Sequence, residues 1–220
     1  FLQMHLEGVI ADKIVFLIFL DLCASHTLLT KGKLLHVHAI VSAVQCDVAV
    51  GTALINMYGR CGCIENAKKV FDDLYDRNLL TFTCMITIFA QHGHGSEAIL
   101  LFHRMHDEGF IPDKVTYTSI LCACGHSGII EDGIAHLLNM EILHGIIPVP
   151  DHFNCIIELL GKAGQLERTK NLIANMPFQP TDGHKRLPGV GCGNHLANHL
   201  FEVDMHDAAS YVIFSNTCVI

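Results

Sequence analysis

Ala53-Leu54-Ile55-Asn56-Met57-Tyr58-Gly59-Arg60-Cys61-Gly62 is an apolar stretch closed by glycine, and it returns three times along the chain. The returns are Cys84-Met85-Ile86-Thr87-Ile88-Phe89-Ala90-Gln91-His92-Gly93, Ser119-Ile120-Leu121-Cys122-Ala123-Cys124-Gly125-His126-Ser127-Gly128 and Cys155-Ile156-Ile157-Glu158-Leu159-Leu160-Gly161-Lys162-Ala163-Gly164. The closing glycines are 31, 35 and 36 residues apart. A second amphipathic stretch follows each one and ends on Leu74, Met105, Met140 or Met176, with the same three spacings. Two independent markers sharing one period identify an internal repeat, which decides the fold before any single residue does.

Each unit reads as a helical hairpin. In its first half Leu54, Ile55, Tyr58 or Met85, Ile86, Phe89 recur at helical spacing. The glycine is expected to adopt the left-handed conformation that ends a helix cheaply. The second half, Glu65 to Leu74 or Ser96 to Met105, places Val70, Phe71, Leu74 or Leu101, Phe102, Met105 on one face. A Gly-x-x-Pro-Asp turn, Gly109 to Asp113, closes the unit because proline cannot continue a helix. A hairpin of this kind leaves apolar surface on both sides, so successive hairpins must stack. The expected fold is therefore all-α, an α-solenoid of stacked helix-turn-helix repeats. Its units run 13–47, 48–78, 79–113, 114–149 and 150–181, and residues 1–12 form the end of a preceding repeat. Gly32 and Gly133 stand where the other units carry Ala67, Ala98 and Thr169, so the units fall into types.

Composition narrows the function. Of 220 residues, 50% are hydrophobic and 16% charged, which excludes a disordered chain. Fourteen basic residues against 22 acidic ones give a net charge of −8, which argues against a protein that coats nucleic acid through charge alone. The most apolar run, Ile14 to Leu20, ends at Asp21 and is far shorter than the roughly 20 residues that span a bilayer. It reads as a buried helix, with no membrane partner. The chain opens on Phe1 and not on Met, so it reads as a fragment, and any targeting peptide would lie upstream of it.

Ten cysteines and 16 histidines invite a metal reading, with Cys61-Gly62-Cys63, His92-Gly93-His94 and Cys122-Ala123-Cys124-Gly125-His126 as the clusters. Structural zinc normally takes Cys-x2–4-Cys spacing, and these clusters recur at one point of successive repeats, which lines them up along an edge without converging. No metal and no cofactor is expected. Catalysis is not expected either. No Cys-x-x-Cys occurs for a zinc deaminase, and Gly189-Val190-Gly191-Cys192-Gly193 follows no strand as a dinucleotide loop would.

The units resemble the plant pentatricopeptide repeat family, in its mixed-length class of long, short and standard units followed by an E region. Leu54 to Gly62 with Ala67-Lys68-Lys69-Val70-Phe71 is similar to the short unit. Phe89 to Ala98 with Gly109-Phe110-Ile111-Pro112-Asp113 is similar to the standard unit, and Leu121 to Gly128 to the long one. Leu159 to Gly164 through Met176-Pro177-Phe178-Gln179-Pro180 resembles the last short unit. Residues 182–220 resemble an atypical, partial E region: His199 to Asp204 and Ala208 to Asn216 match its second half, whereas Asp182 to Gly191 reads as loop.

The resemblance implies single-stranded RNA binding at one base per repeat, read by a few side chains. Its reading positions are the fifth and last residues of a unit. These are Thr52 with Asn78, Thr83 with Asp113, and Asn154 with Thr181; Leu17 with Asp47 and Thr118 with Val149 are weak readers, since Leu17 and Val149 offer no side-chain hydrogen bond. By the family pattern Thr with Asp prefers guanine and Thr with Asn prefers adenine. Lys33, Lys68 and Lys69 are candidates for phosphate contact. The implied role is a non-catalytic site-recognition factor in RNA processing or C-to-U editing in a mitochondrion or chloroplast. Its partners would be organellar RNA and an editing deaminase recruited in trans, with no DNA. The alternatives are a protein–protein scaffold or a non-functional truncated paralogue.

Overall fold

A computed structural model describes residues 11–177. The expectations for the preceding repeat at residues 1–10, for Thr181 and for the E region at 182–220 lie outside the described residues. Ten α-helices and no strands occur among the described residues. In chain order they are α1 Lys13–Ser25, α2 Leu29–Val41, α3 Val48–Arg60, α4 Ile64–Asp73, α5 Leu79–Gln91, α6 Gly95–Asp107, α7 Lys114–Ser127, α8 Ile130–Ile142, α9 Pro150–Lys162 and α10 Leu166–Ala174. This is the all-α architecture of stacked helical hairpins. None of these helices is long and apolar enough to cross a membrane.

The chain divides into two compact units, Phe1–Ala123 and Cys124–Ile220, with α7 running through the boundary. In the first, each hairpin packs internally (α1 on α2, α3 on α4, α5 on α6), and the first helices α1, α3 and α5 pack on one another in succession. The second helices α2 and α4 lie against the first helix of the following hairpin, α3 and α5. The core is the apolar face that periodicity marks: Phe16 and Leu20 on α1, Leu54, Ile55 and Met57 on α3, and Phe82, Met85 and Ile86 on α5 are all fully buried. Phe71 meets Phe82 edge-on at 5.2 Å between ring centroids, joining α4 to the next hairpin. Such a pair contributes about 0.5–1.5 kcal/mol beyond its buried area. In the second unit, α9 packs on both α8 and α10.

The glycines that mark the repeat do take the left-handed conformation, with φ of 72° at Gly62, 78° at Gly93, 69° at Gly128 and 70° at Gly164. At the first of these the Gly62 N–H donates to the Gly59 carbonyl and the Cys63 N–H to the Tyr58 carbonyl, each at 2.9 Å. This is the two-bond helix ending that satisfies carbonyls otherwise left open. Residues 13–47 build the same ending without glycine. Thr27 (φ 52°) and Ala43 (φ 54°) occupy the left-handed positions after α1 and α2, and the Leu28 and Val44 N–H groups reach back to the Cys23 and Ala39 carbonyls.

Helix limits differ slightly from the periodic reading. α6 continues to Asp107, past Met105, whereas α4 stops at Asp73. In the longer units the extra residues form more helix before the turn. The unit types also acquire a cause. A Cβ on Gly32 would fall on the Met57 sulfur, and one on Gly133 would lie 2.8 Å from Leu159 Cδ2. Glycine there admits a bulky side chain of the next hairpin's first helix. Ala67, Ala98 and Thr169 are buried at the corresponding places.

Candidate nucleic-acid interface

The last residue of a unit is the residue that caps the next unit's first helix. Asp47 Oδ1 accepts from the Ala49 and Val50 N–H groups at 2.9 and 3.3 Å, at the start of α3. Asn78 Oδ1 accepts from the Thr81 N–H at 2.9 Å, at the start of α5. Asp113 Oδ1 accepts from the Thr116 N–H at 2.8 Å, at the start of α7. A short polar side chain is favoured here because it satisfies an amide that the helix leaves open. Asn78 and Asp113 stay exposed while doing so.

Two of the three caps continue into a hydroxyl chain. Thr81 Oγ1 donates to Asn78 Oδ1 at 3.0 Å and lies 3.0 Å from Thr52 Oγ1 on the preceding first helix. Thr116 Oγ1 donates to Asp113 Oδ1 at 2.8 Å and lies 2.7 Å from Thr83 Oγ1. The structure thus brings Thr52 together with Asn78, and Thr83 with Asp113, in each case through a threonine that sequence reasoning did not single out. The signal was available in Asn78-x-x-Thr81 and Asp113-x-x-Thr116, a capping residue followed three places on by a hydroxyl.

The chains decide which atoms remain for a ligand. Thr52 is 9% exposed and Thr83 5%, so each threonine presents only an edge. The single Thr52 hydroxyl proton has two acceptors in reach, Thr81 Oγ1 at 3.0 Å and the Val48 carbonyl at 2.7 Å, and serves one at a time. The outward polar groups are instead those of the capping residues. With Oδ1 turned inward, Asn78 keeps its Nδ2 donors and Asp113 keeps its Oδ2 acceptor without partners among the described residues. Two successive units therefore offer opposite hydrogen-bonding groups at equivalent places.

The remaining positions differ. Leu17 is half-buried on α1, and Asp47 is tied to Lys13 by a 2.8 Å ion pair. The Lys13 ammonium, with the two backbone N–H bonds, holds the Asp47 carboxyl below the usual carboxylate range. Thr118 donates to the Lys114 carbonyl at 3.0 Å. Val149 precedes α9, and its N–H donates to Nδ1 of the buried His152 at 3.0 Å. Asn154 is half-buried on α9. Lys33 lies on α2 and Lys68 and Lys69 on α4, all exposed, so they stand on second helices while the reading positions stand on and before first helices.

Among the described cysteines Cys23 and Cys124 are buried, Cys46 is exposed and the others are half-buried. Burial pushes the Cys84 thiol up to about 11, against the pull of Arg60, and the Cys124 thiol up to about 12. His92 Nε2 is 2.9 Å from the Gly59 carbonyl, linking the turn after α5 to the end of α3. His36 Nδ1 is 2.9 Å from the Tyr58 hydroxyl. Among the described residues no three His, Cys, Asp or Glu side chains converge as metal ligands would.

Residues 77–126 match the PPR repeat family model and residues 52–79 the PPR repeat model. Relatives in Arabidopsis thaliana include a chloroplastic pentatricopeptide repeat-containing protein, 34% identical over 93% of this chain and 24% of its own length. A mitochondrial one is 35% identical over 98% of this chain and 35% of its own length, and a third is 38% identical over 86% and 30%. The chain spans about a quarter to a third of these relatives. Among solved structures, the maize pentatricopeptide repeat protein PPR10 gives a TM-score of 0.64 at 18% identity, covering 91% of this chain and 30% of that one. PPR10 in complex with an 18-nt psaJ RNA element gives 0.65 at 18% identity, covering 77% and 26%.

Proposed function

We propose that this chain, which carries pentatricopeptide repeats across residues 52–126, binds single-stranded RNA and reads one base with each of two adjacent units. The observation that carries the reading is the pair of outward groups, an amide donor at Asn78 and a carboxylate acceptor at Asp113, fixed at equivalent places of consecutive hairpins. The Watson–Crick edge of guanine offers N1–H and N2–H donors, which suit the Asp113 acceptor. That of adenine offers the N1 acceptor, which suits the Asn78 donors. Unpaired bases expose these edges, whereas a duplex uses them internally. The chemistry therefore favours single strands over DNA or RNA duplexes, and the preferences agree with those the family pattern implies.

Leu17 has no hydrogen-bonding side chain, and Val149 none, so the units at 13–47 and 114–149 contribute little discrimination. Asn154 with Thr181 is a third reading pair in this proposal. The net charge of −8 and the pairing of Lys13 with Asp47 leave phosphate attraction a small part of the affinity. In the longer protein such recognition would serve organellar RNA processing or C-to-U editing, with the deaminase supplied in trans. The relatives named chloroplastic and mitochondrial support that setting.

The test is fluorescence anisotropy of the purified chain with short oligouridine RNAs carrying adenine and guanine side by side, in both orders. One order should bind best, and Asn78→Asp should move the adenine preference to guanine by about 5- to 100-fold, the worth of one good base contact. An unchanged preference would overturn the reading.

A further inference from the structure

We propose that Thr81 and Thr116 are positioning residues for base reading: the third residue of one unit sets the reading pair of the unit before it. This rests on the RNA reading above and assigns it a cause outside the reading positions. Thr116 is fully buried, and its single proton goes to the Asp113 carboxylate, a charge-assisted bond at 2.8 Å. Its lone pairs then accept from Thr83, 2.7 Å away. The protons run one way, Thr83 to Thr116 to Asp113, and a chain so ordered strengthens each of its bonds.

The consequence is directional. One carboxylate oxygen is held by two donors of a single residue, the Thr116 N–H at 2.8 Å and its hydroxyl at 2.8 Å, so the carboxylate plane is fixed and the other oxygen faces out. In the preceding unit Thr81 does the same to Asn78 through its N–H at 2.9 Å and its hydroxyl at 3.0 Å. There the effect includes identity: with Oδ1 inward, the outward atom is a nitrogen, and a rotated amide would offer an acceptor to the base.

A third unit supplies an internal contrast. At 48–78 the third residue is Val50, which has no hydroxyl, and the preceding unit reads with Leu17, which needs none. Asp47 is then capped by backbone N–H groups alone, and its Oδ2 turns to Lys13. Hydroxyl and polar reader occur together or not at all in these three junctions.

Thr→Val keeps the shape and the N–H while removing the hydroxyl, so the fold is retained and only the chain is cut. The experiment measures binding of the full chain to the oligouridine RNAs above, for wild type, Thr116→Val, Thr116→Ser, Thr81→Val and the reader variants Asp113→Asn and Asn78→Asp. Thermal unfolding by circular dichroism accompanies each. The expected result is a two- to tenfold loss of guanine-over-adenine discrimination in T116V, about the worth of one net hydrogen bond, and a similar loss for adenine in T81V. T116S should restore wild-type discrimination, which a merely structural role would not require. Unchanged discrimination in both valine variants, beside a shift in the reader variants, overturns the positioning role and leaves base reading intact. Absence of base preference in wild type and reader variants alike overturns base reading, and the positioning role with it.

Discussion

Ala43→Gly should stabilise the protein. Ala43 stands at φ 54°, where an L side chain crowds the backbone, and an alanine there costs about 1–2 kcal/mol relative to glycine. Its side chain is exposed, so removing the Cβ gives up little packing. Glycine widens the unfolded ensemble and so takes back about 0.4–1 kcal/mol. The difference is a net gain of about 0.5–1 kcal/mol, or roughly 1–4 °C in Tm for a chain of this size. Gly109 at φ 84° holds the equivalent place after α6, where an added Cβ meets nothing within 4 Å. Gly109→Ala therefore carries the same strain and the same unfolded-state term with the sign reversed, without a packing change, and should lower Tm by a similar amount. Circular dichroism melts of wild type and both variants give the comparison, and urea titration checks it. An Ala43→Gly protein no more stable than wild type, beside a destabilised Gly109→Ala, would refute the claim that Ala43 is left-handed and strained.

Gly32→Ala should destabilise by about 1–3 kcal/mol, the range for overpacking, because its Cβ collides with Met57; Met57→Ala in the same chain should recover part of the loss in thermal melts. Thiol labelling followed by mass spectrometry at mildly alkaline pH should modify exposed Cys46 well before Cys84 and Cys124, whose thiols burial holds at about 11 and about 12. Equal rates would contradict their packing. Asp47 titrates below the ordinary carboxylate range when folded, so the stability it lends is present above its unfolded pKa of about 4 and is lost as pH falls through the folded value. Asp47→Asn should accordingly flatten the acid limb of Tm against pH, and an unchanged limb would show that the Lys13 pair does not matter. RNA affinity should fall only gently with salt, since each phosphate contact adds about 0.7 to the log–log slope; a steep slope would point to cations outside the reading residues.

The repeat, the all-helical class and the left-handed glycines were legible because they are local. A helix ends within a few residues of the glycine that stops it, and the period of 31, 35 and 36 is written in the chain itself. The exceptions are also instructive. Thr27 and Ala43 carry no turn signal, yet they take the glycine conformation because the helices on either side, packed into the stack, require the chain to reverse there. Tertiary packing overrides the local preference by more than the strain it imposes.

The motif proposes reading positions, but it does not tell which of their atoms stay accessible. Thr52 and Thr83 look like direct readers in the sequence, where a hydroxyl is simply a donor and an acceptor. In the folded chain those hydroxyls lie inside, bonded to threonines 29 and 33 residues away. Sequence by itself determined where the hairpins marked by glycine turn, since the backbone conformation there depends on neighbours along the chain. Only the tertiary structure decided that the Thr52 and Thr83 hydroxyls turn inward beside Thr81 and Thr116, because those partners are brought alongside by the stacking of first helices, whereas the bonds that orient Asn78 and Asp113 reach three residues along the chain.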